Sequence, residues 1–194
     1  LTDEQKDYTQ TIHNSAESLL RIVNDVLDFS KIEAGKIHLD KSSVNIRDLI
    51  MEAFSILPKS TDQLRINHFV DANVPKFIYC DPFRLKQVLL NFLSNAIKFT
   101  ERGNVTLECK VIDKDENDFI RLGFVVKDTG IGIAKDRIKL LFKPFVQVDH
   151  TTVRKYGGTG LGLNIAYNLV SMMGGKINVN SQVGVGSNFV FFIQ

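Results

Sequence analysis

Along the opening stretch of the chain, apolar residues recur at alternating intervals of four and three. Ile12, Ala16, Leu19, Val23 and Val26 make the repeat, and Leu20 and Leu27 widen it. That is the stripe of a coiled coil or helical bundle. It predicts one helix from Thr2 to about Ile32, opened by a capping box between Thr2 and Gln5. Such a helix cannot bury its seam alone. It needs an antiparallel partner, a second copy or the body of the domain. Gly35 is the expected terminator, and Lys31–Ser43 reads as a linker and the one internal boundary.

From Val44 the pattern becomes mixed. Roughly Arg47–Leu57 reads as a helix capped at Asn45 or a neighbour, and Leu64–Val70 and Lys76–Cys80 as strands. Val105–Ile112 and Phe119–Lys127 alternate like a hairpin around the polar turn Asp113–Asp118. Lys135–Phe142 is predicted as a short helix, Lys143–Gly160 as a mobile loop without period, and Leu161–Met173 as a helix opening out of glycines. Gly175–Ser181 and Ser187–Ile193 close the chain as a second hairpin. Consecutive hairpins with helices between them argue for an α+β sandwich, an antiparallel or mixed sheet with helices on one face.

One stretch organises the rest: Asp81–Thr100, DPFRLKQVLLNFLSNAIKFT. Asp81 reads as N-cap and Pro82 as first helical residue, where a missing N–H costs nothing. Leu85, Val88, Leu89, Phe92, Leu93, Ala96, Ile97 and Phe99 fill a broad apolar arc; Arg84, Gln87, Asn91, Ser94, Asn95 and Lys98 make a narrow polar stripe. The stripe must reach water or find partners. A carboxamide offers a hard oxygen to a metal and an N–H to a phosphate without adding charge. A polar seam satisfied by neighbouring backbone would look the same.

Composition narrows the field. With 194 residues, 44% hydrophobic and 24% charged, the chain suits one good core and a small second unit. A net charge of +2 is too small to argue for a nucleic-acid or membrane surface, so no nucleic-acid partner is expected. Cys80 and Cys109 lie in apolar, strand-like contexts without metal-ligand spacing, and read as reduced core residues in a reducing compartment. Asn104-Val105-Thr106 fits the glycosylation pattern, but no other mark of secretion accompanies it. No apolar run approaches the about 18 residues of a membrane span. The start at Leu1 rather than Met suggests a piece of something longer.

Two glycine-rich stretches carry candidate chemistry: Asp128-Thr129-Gly130-Ile131-Gly132-Ile133 after a strand, and Gly157-Gly158-Thr159-Gly160-Leu161-Gly162-Leu163 before a helix. Glycines there let backbone approach a ligand, and a helix N-terminus offers N–H groups to phosphate; a tight turn is the alternative for each. Neither stretch is a P-loop, and neither spacing fits the dinucleotide fingerprint.

In order and spacing these pieces resemble the ATP-binding catalytic domain of sensor histidine kinases. The helix with Asn91 and Asn95 looks like its N box, Asp128–Ile133 like the G1 box, Phe142-Lys143-Pro144-Phe145 like the F box and Gly157–Leu163 like the G2 box. DFSKIEAGK at Asp28–Lys36 is similar to the end of the dimerisation domain in hybrid-type kinases, so the resemblance covers nearly the whole chain. It implies a two-layer α/β sandwich of the Bergerat type, preceded by one long bundle helix. Residues 1–33 would be the second dimerisation helix, 34–43 a linker and 44–194 the catalytic domain.

The resemblance also implies roles. Asp128 would accept a hydrogen bond from the adenine amino group, and Gly130 and Gly132 would let backbone pack on the base. Asn91 and Asn95 would meet Mg²⁺ and the phosphates of ATP, and Lys98 would either add charge there or stay solvated. Arg154 and Lys155, beside Tyr156 on the lid, are candidates for the γ-phosphate. Gly158, Gly160 and Gly162 would form the phosphate cradle, Thr159 and Leu161 between them would also bind ATP, and Phe142 and Phe145 would pin the lid. Chaperone-type ATPases of this fold carry a glutamate where Asn91 stands, as the base that activates water. An amide cannot take that proton.

Here the sequence departs from the family. None of His13, His38, His68 and His150 has the acidic neighbour or context of the H box. The phosphoacceptor helix and any receiver domain are therefore expected outside this chain, and the chain alone is not expected to autophosphorylate. The implied function is an Mg-ATP-binding kinase domain that transfers the γ-phosphoryl group to a histidine elsewhere. The alternatives are a stand-alone ATPase, which Asn91 disfavours, and a nucleotide-binding pseudokinase, which the intact boxes disfavour. Implied partners are ATP or ADP, the acceptor helix, a response-regulator receiver and, in the full-length protein, a second copy. This piece is expected in the cytoplasm, where the family's usually membrane-anchored dimers keep it.

Overall fold

In a computed structural model of the chain, which describes residues 1–114, 120–146 and 159–194, α1 (Asp3–Glu33) opens with both bonds of the Thr2–Gln5 capping box. It ends at Ala34 and Gly35, whose φ of 62° is a left-handed turn that suits glycine. Ile12, Leu19, Leu20, Val23, Val26 and Leu27 are all exposed. Among the apolar residues of α1, Phe29 and Ile32 are those packed against the core. The domain body thus covers the end of the seam and leaves the rest open.

The predicted linker is not free chain. Ile37 is buried, Asp81 Oδ2 accepts the Asp40 N–H at 2.9 Å, and Ser42 already belongs to β1 (Ser42–Asn45). β1 pairs antiparallel with β3 (Phe77–Cys80), Ser42 opposite Cys80. Two serines carry no strand signal of their own. A partner far along the chain makes them one.

α2 (Ile46–Ile56) follows, with Asn45 as its cap, then β2 (Leu64–Val70) and, after β3, α3 (Pro82–Lys98). β4 (Gly103–Lys114), β5 (Ile120–Asp128), the short α4 (Lys135–Ile138), α5 (Gly162–Met172), β6 (Lys176–Gln182) and β7 (Gly186–Ile193) complete the elements of the described residues. Five strands form one sheet in the order β2-β4-β5-β7-β6. β2 runs parallel to β4, because the chain returns between them through α3; the other pairs are antiparallel.

Alternation puts Val105, Leu107 and Cys109 of β4, Phe124 and Val126 of β5 and Phe189 and Phe191 of β7 into one core with α2, α3 and α5. At its centre Phe191 stacks on Phe124 at 4.9 Å and on Phe92 of α3 at 5.3 Å. This is the expected two-layer α+β sandwich with a mixed sheet. α4 is shorter than predicted: after Ile138 the bonds tighten to three-residue spacing, Leu140 to Arg137 and Lys143 to Leu140. Both thiols are buried and free; burial pushes Cys80 up to about 11 and Cys109 to about 12, so neither is a nucleophile at neutral pH.

Candidate functional site

α3 is the axis of the site. Asp81 Oδ1 accepts the Arg84 N–H at 2.9 Å with Pro82 in the first turn, and the apolar arc lies in the core. The polar stripe divides into two halves. In the first turns Arg84 Nη1 donates to both oxygens of Asp28 at 3.1 Å and to Gln87 Oε1 at 2.8 Å, and Gln87 Nε2 donates to Asp28 at 2.7 Å. Arg84 and Asp28 are each only 16% exposed. Here the stripe has found its partner in α1.

Further along, Asn95 Nδ2 donates to the Asn91 carbonyl at 2.9 Å, which fixes the amide with its oxygen as the remaining acceptor. Asn91 faces the start of α5: a Cβ on Gly162 would stand 3.1 Å from Asn91 Oδ1. Lys98, half-buried, is pulled below the ordinary lysine range by burial and then by the charge of Arg21 on α1. Two carboxamide oxygens are the hard, uncharged donors that suit Mg²⁺ shared with phosphates. Among the described residues no cluster of three or more His, Cys, Asp or Glu could hold a metal.

Asp128 ends β5 and is 6% exposed. Its Oδ1 accepts the Gly130 N–H at 2.9 Å and the Ser187 N–H at 3.2 Å. Burial pushes its carboxyl up, and the bonds from Gly130 and Ser187 oppose that. The glycines beside it have reasons inside the protein. A Cβ on Gly130 would overlap the Phe99 carbonyl at the end of α3, and one on Gly132 the Gln182 carbonyl of β6. With the Ile131 N–H bound to the Phe99 carbonyl at 3.2 Å, this locks the Asp128 loop to the end of α3 that carries Asn95 and Lys98.

The third wall is the start of α5. Its N-cap position, Leu161, offers no side-chain acceptor to the first turn, and the Leu161 side chain itself lies in the core. Thr159 Oγ1 accepts the Leu161 N–H at 3.2 Å and donates to Asp25 of α1 at 3.0 Å. Gly160 stands at φ 71° with its carbonyl accepting the Phe145 N–H at 3.2 Å. Arg154, Lys155, Tyr156 and Gly158 lie outside the described residues. Phe142 is held by buried Asn164, whose Nδ2 donates to its carbonyl at 2.8 Å, and its ring packs on Tyr167. Phe145 is exposed, at φ 61°, and meets Phe29 of α1 edge-on at 5.5 Å.

The structure therefore brings Asn91, Asn95, Lys98, Asp128 and the start of α5 around one end of α3. Sequence reading missed Asp25, Asp28, Ser187 and Asn164. An acid at each of positions 25 and 28, on the face that continues to Phe29 and Ile32, was the signal available for the first two. Of the histidines, His13 pairs with Glu17 at 3.2 Å on the exposed face of α1, His38 is exposed, and His68 packs on Phe54. His150 lies outside the described residues.

Residues 80–194 match the family described as histidine kinase-, DNA gyrase B-, and HSP90-like ATPase, and residues 1–35 the His Kinase A (phospho-acceptor) domain. The chain is 44% identical over 191 residues to the sensor histidine kinase GacS of Pseudomonas protegens, covering 97% of this chain and 21% of that protein. It is 41% identical over 198 residues to the signal transduction histidine-protein kinase BarA of Escherichia coli, covering 100% of this chain and 21% of the other. It spans, then, about a fifth of these relatives' length. Full-length ShkA, solved in complex with AMPPNP, superposes with a TM-score of 0.81 at 38% identity, over 100% of this chain and 39% of that one.

Proposed function

The chain belongs to the histidine kinase-, DNA gyrase B- and HSP90-like ATPase family, and from that premise we propose that it is the Mg-ATP-binding catalytic module of a hybrid-type sensor histidine kinase. It hands the γ-phosphoryl group of ATP to a histidine on an acceptor helix. The observation that carries the reading is Asn91 on α3 facing the uncapped start of α5, with the buried Asp128 acceptor beyond the other end of the stripe.

Asp128 accepts from the adenine amino group. A carboxylate has no donor to offer, so guanine's carbonyl in that place would meet repulsion. Gly130 and Gly132 let the backbone pack against the base, and a Cβ at either would overlap the Phe99 or the Gln182 carbonyl. The start of α5, from Thr159 through Gly162, receives phosphate through main-chain N–H groups. Asn91 and Asn95 would hold Mg²⁺, whose charge offsets that of the phosphates. Lys98 adds positive charge, Arg154 and Lys155, beside Tyr156, are the candidates for the γ-phosphate, and Gly158 joins the phosphate cradle. Catalysis is then mainly positioning and charge neutralisation for in-line transfer. Because Asn91 cannot serve as a base, water is not activated, and transfer awaits an incoming histidine.

We assign residues 1–33 to the second dimerisation helix, 34–43 to the join and 44–194 to the catalytic domain. The open seam of α1 supports a second copy and the acceptor helix as its cover, with a response-regulator receiver downstream on the cytoplasmic side. No helix among the described residues is long and apolar enough to cross a membrane.

The test mixes the chain with Mg-ATP and a separate acceptor-helix fragment. Acid-labile phosphohistidine should form on the fragment, while the chain alone neither labels itself nor turns over ATP appreciably. Robust hydrolysis abolished by changing Asn91 would move the protein to the hydrolase side of the family, and nucleotide binding without transfer would leave a pseudokinase.

A further inference from the structure

The last turns of α1 make contacts that a bundle helix does not need. Asp25, Asp28, Phe29 and Ile32 share one face, spaced three, four and seven residues from Asp25. Asp28 binds the first turns of α3 and Asp25 binds Thr159, two residues before the N-cap of α5. Phe29 touches Phe145, whose N–H closes on the Gly160 carbonyl. Helix α1 therefore holds Phe145 and Thr159 at once. One of those holds is a carboxylate.

We propose that α1, docked in this way, is an internal competitor of the nucleotide, with Asp25 as an anion set against the phosphates at the start of α5. The inference rests on the ATP-binding reading above. A helix start without a side-chain cap attracts negative charge, and here the approaching group is Asp25, on the Thr159 hydroxyl that also takes the Leu161 N–H. A phosphate at the same helix start would face this carboxylate at short range, and like charges there repel. The docked acid is also held at a cost, since burial pushes its carboxyl up against the help of Thr159 and Arg21. Neutralising Asp25 removes the like charge that a phosphate would meet and leaves the cation Arg21 beside it, and this gain for phosphate outweighs the burial cost that the neutral side chain no longer bears when docked. Docking of α1 and nucleotide binding are then linked, and each weakens the other by the same factor.

The experiment uses the full chain, with Mg²⁺ present, and titrates a non-hydrolysable ATP analogue, ADP and adenosine into the native protein, Asp25→Asn and Phe29→Ala. Asp25→Asn should tighten the ATP analogue about fivefold, ADP by less, and adenosine not at all. Phe29→Ala loosens the dock without changing charge and should tighten the analogue more modestly. In the native chain the analogue should speed amide exchange in residues 25–33. Unchanged or weaker analogue binding by folded Asp25→Asn overturns the proposal, as does equal tightening for adenosine. Should that variant not fold, undiminished protection of residues 25–33 on analogue binding overturns it just as well. If neither the native chain nor the variants bind any of the three ligands, the ATP reading itself is wrong and the competitor falls with it. Binding by the native chain with no gain in the variants removes the competitor alone.

Discussion

At the scale of single residues, Asp128 joins two roles that pull in opposite directions. Its carboxylate is buried to be a strong acceptor for a ligand, and burial raises its pKa in the folded protein. A carboxyl whose folded pKa lies above its unfolded one contributes stability below the unfolded value and loses it as pH rises through the folded value. At neutral pH the ionised group is therefore a cost to the ligand-free fold. Asp128→Asn keeps an acceptor for the Gly130 and Ser187 N–H groups, so at pH 7 its denaturation midpoint should equal or exceed that of the native chain. The difference should shrink on acidification towards the carboxylate range. The same change should weaken ATP binding at least about tenfold, since a neutral amide replaces the charged acceptor. Calorimetry showing unchanged ATP affinity would take Asp128 out of the base pocket. Asn95→Ala separates the other end of the site: Mg-ATP affinity should fall while metal-free adenosine binds as before. Equal losses for both ligands would mean that Asn95 supports the fold rather than the metal and phosphates.

At the scale of elements, α3 belongs to two structures at once. Its first turns are bound by α1 through Asp28, and its last turns carry Asn91, Asn95 and Lys98. The Arg84–Asp28 pair is largely shielded from water and closed by Gln87, so removing one partner leaves the other with unmet hydrogen bonds. Asp28→Ala should free the end of α1. Amide exchange should quicken in residues 25–33 while β5 and β7 keep their protection, because their contacts lie in the sheet and the core beneath it. Exchange rising across the whole chain would mean instead that the pair holds the domain together. The predicted element boundaries around α3 agree with the structure because the cap and the apolar arc are local signals. Which part of its polar stripe meets α1 and which stays open is a property of two elements together, and no periodicity within α3 encodes it.

At the scale of the whole molecule, a well-packed sandwich carries a helix whose seam is mostly solvated. A run of exposed apolar side chains of this length on one helix face is a surface that associates. The chain should therefore self-associate as its concentration rises, and Leu20→Glu, on the open seam, should suppress association without moving the unfolding midpoint of the sandwich. Sedimentation at several concentrations checks this. Association that survives Leu20→Glu would place the contact on another surface.

Much of this protein is determined by its sequence alone. The Thr2–Gln5 cap, the Asp81-Pro82 start and the alternation of β4, β5 and β7 all act over a few residues, and each lies in the structure where its spacing puts it. The type of fold follows, because an apolar face of known period has few ways to be buried. Only the tertiary structure decided that Ser42 and Ser43 form a strand, that Ser187 and Asn164 hold Asp128 and Phe142, and that Gly130 and Gly132 are needed by the protein's own backbone. It alone decided that Asp25 and Asp28 turn towards the site. In each of these cases the partner lies far along the chain, and a side chain's chemistry does not reveal which distant surface packing will bring to it.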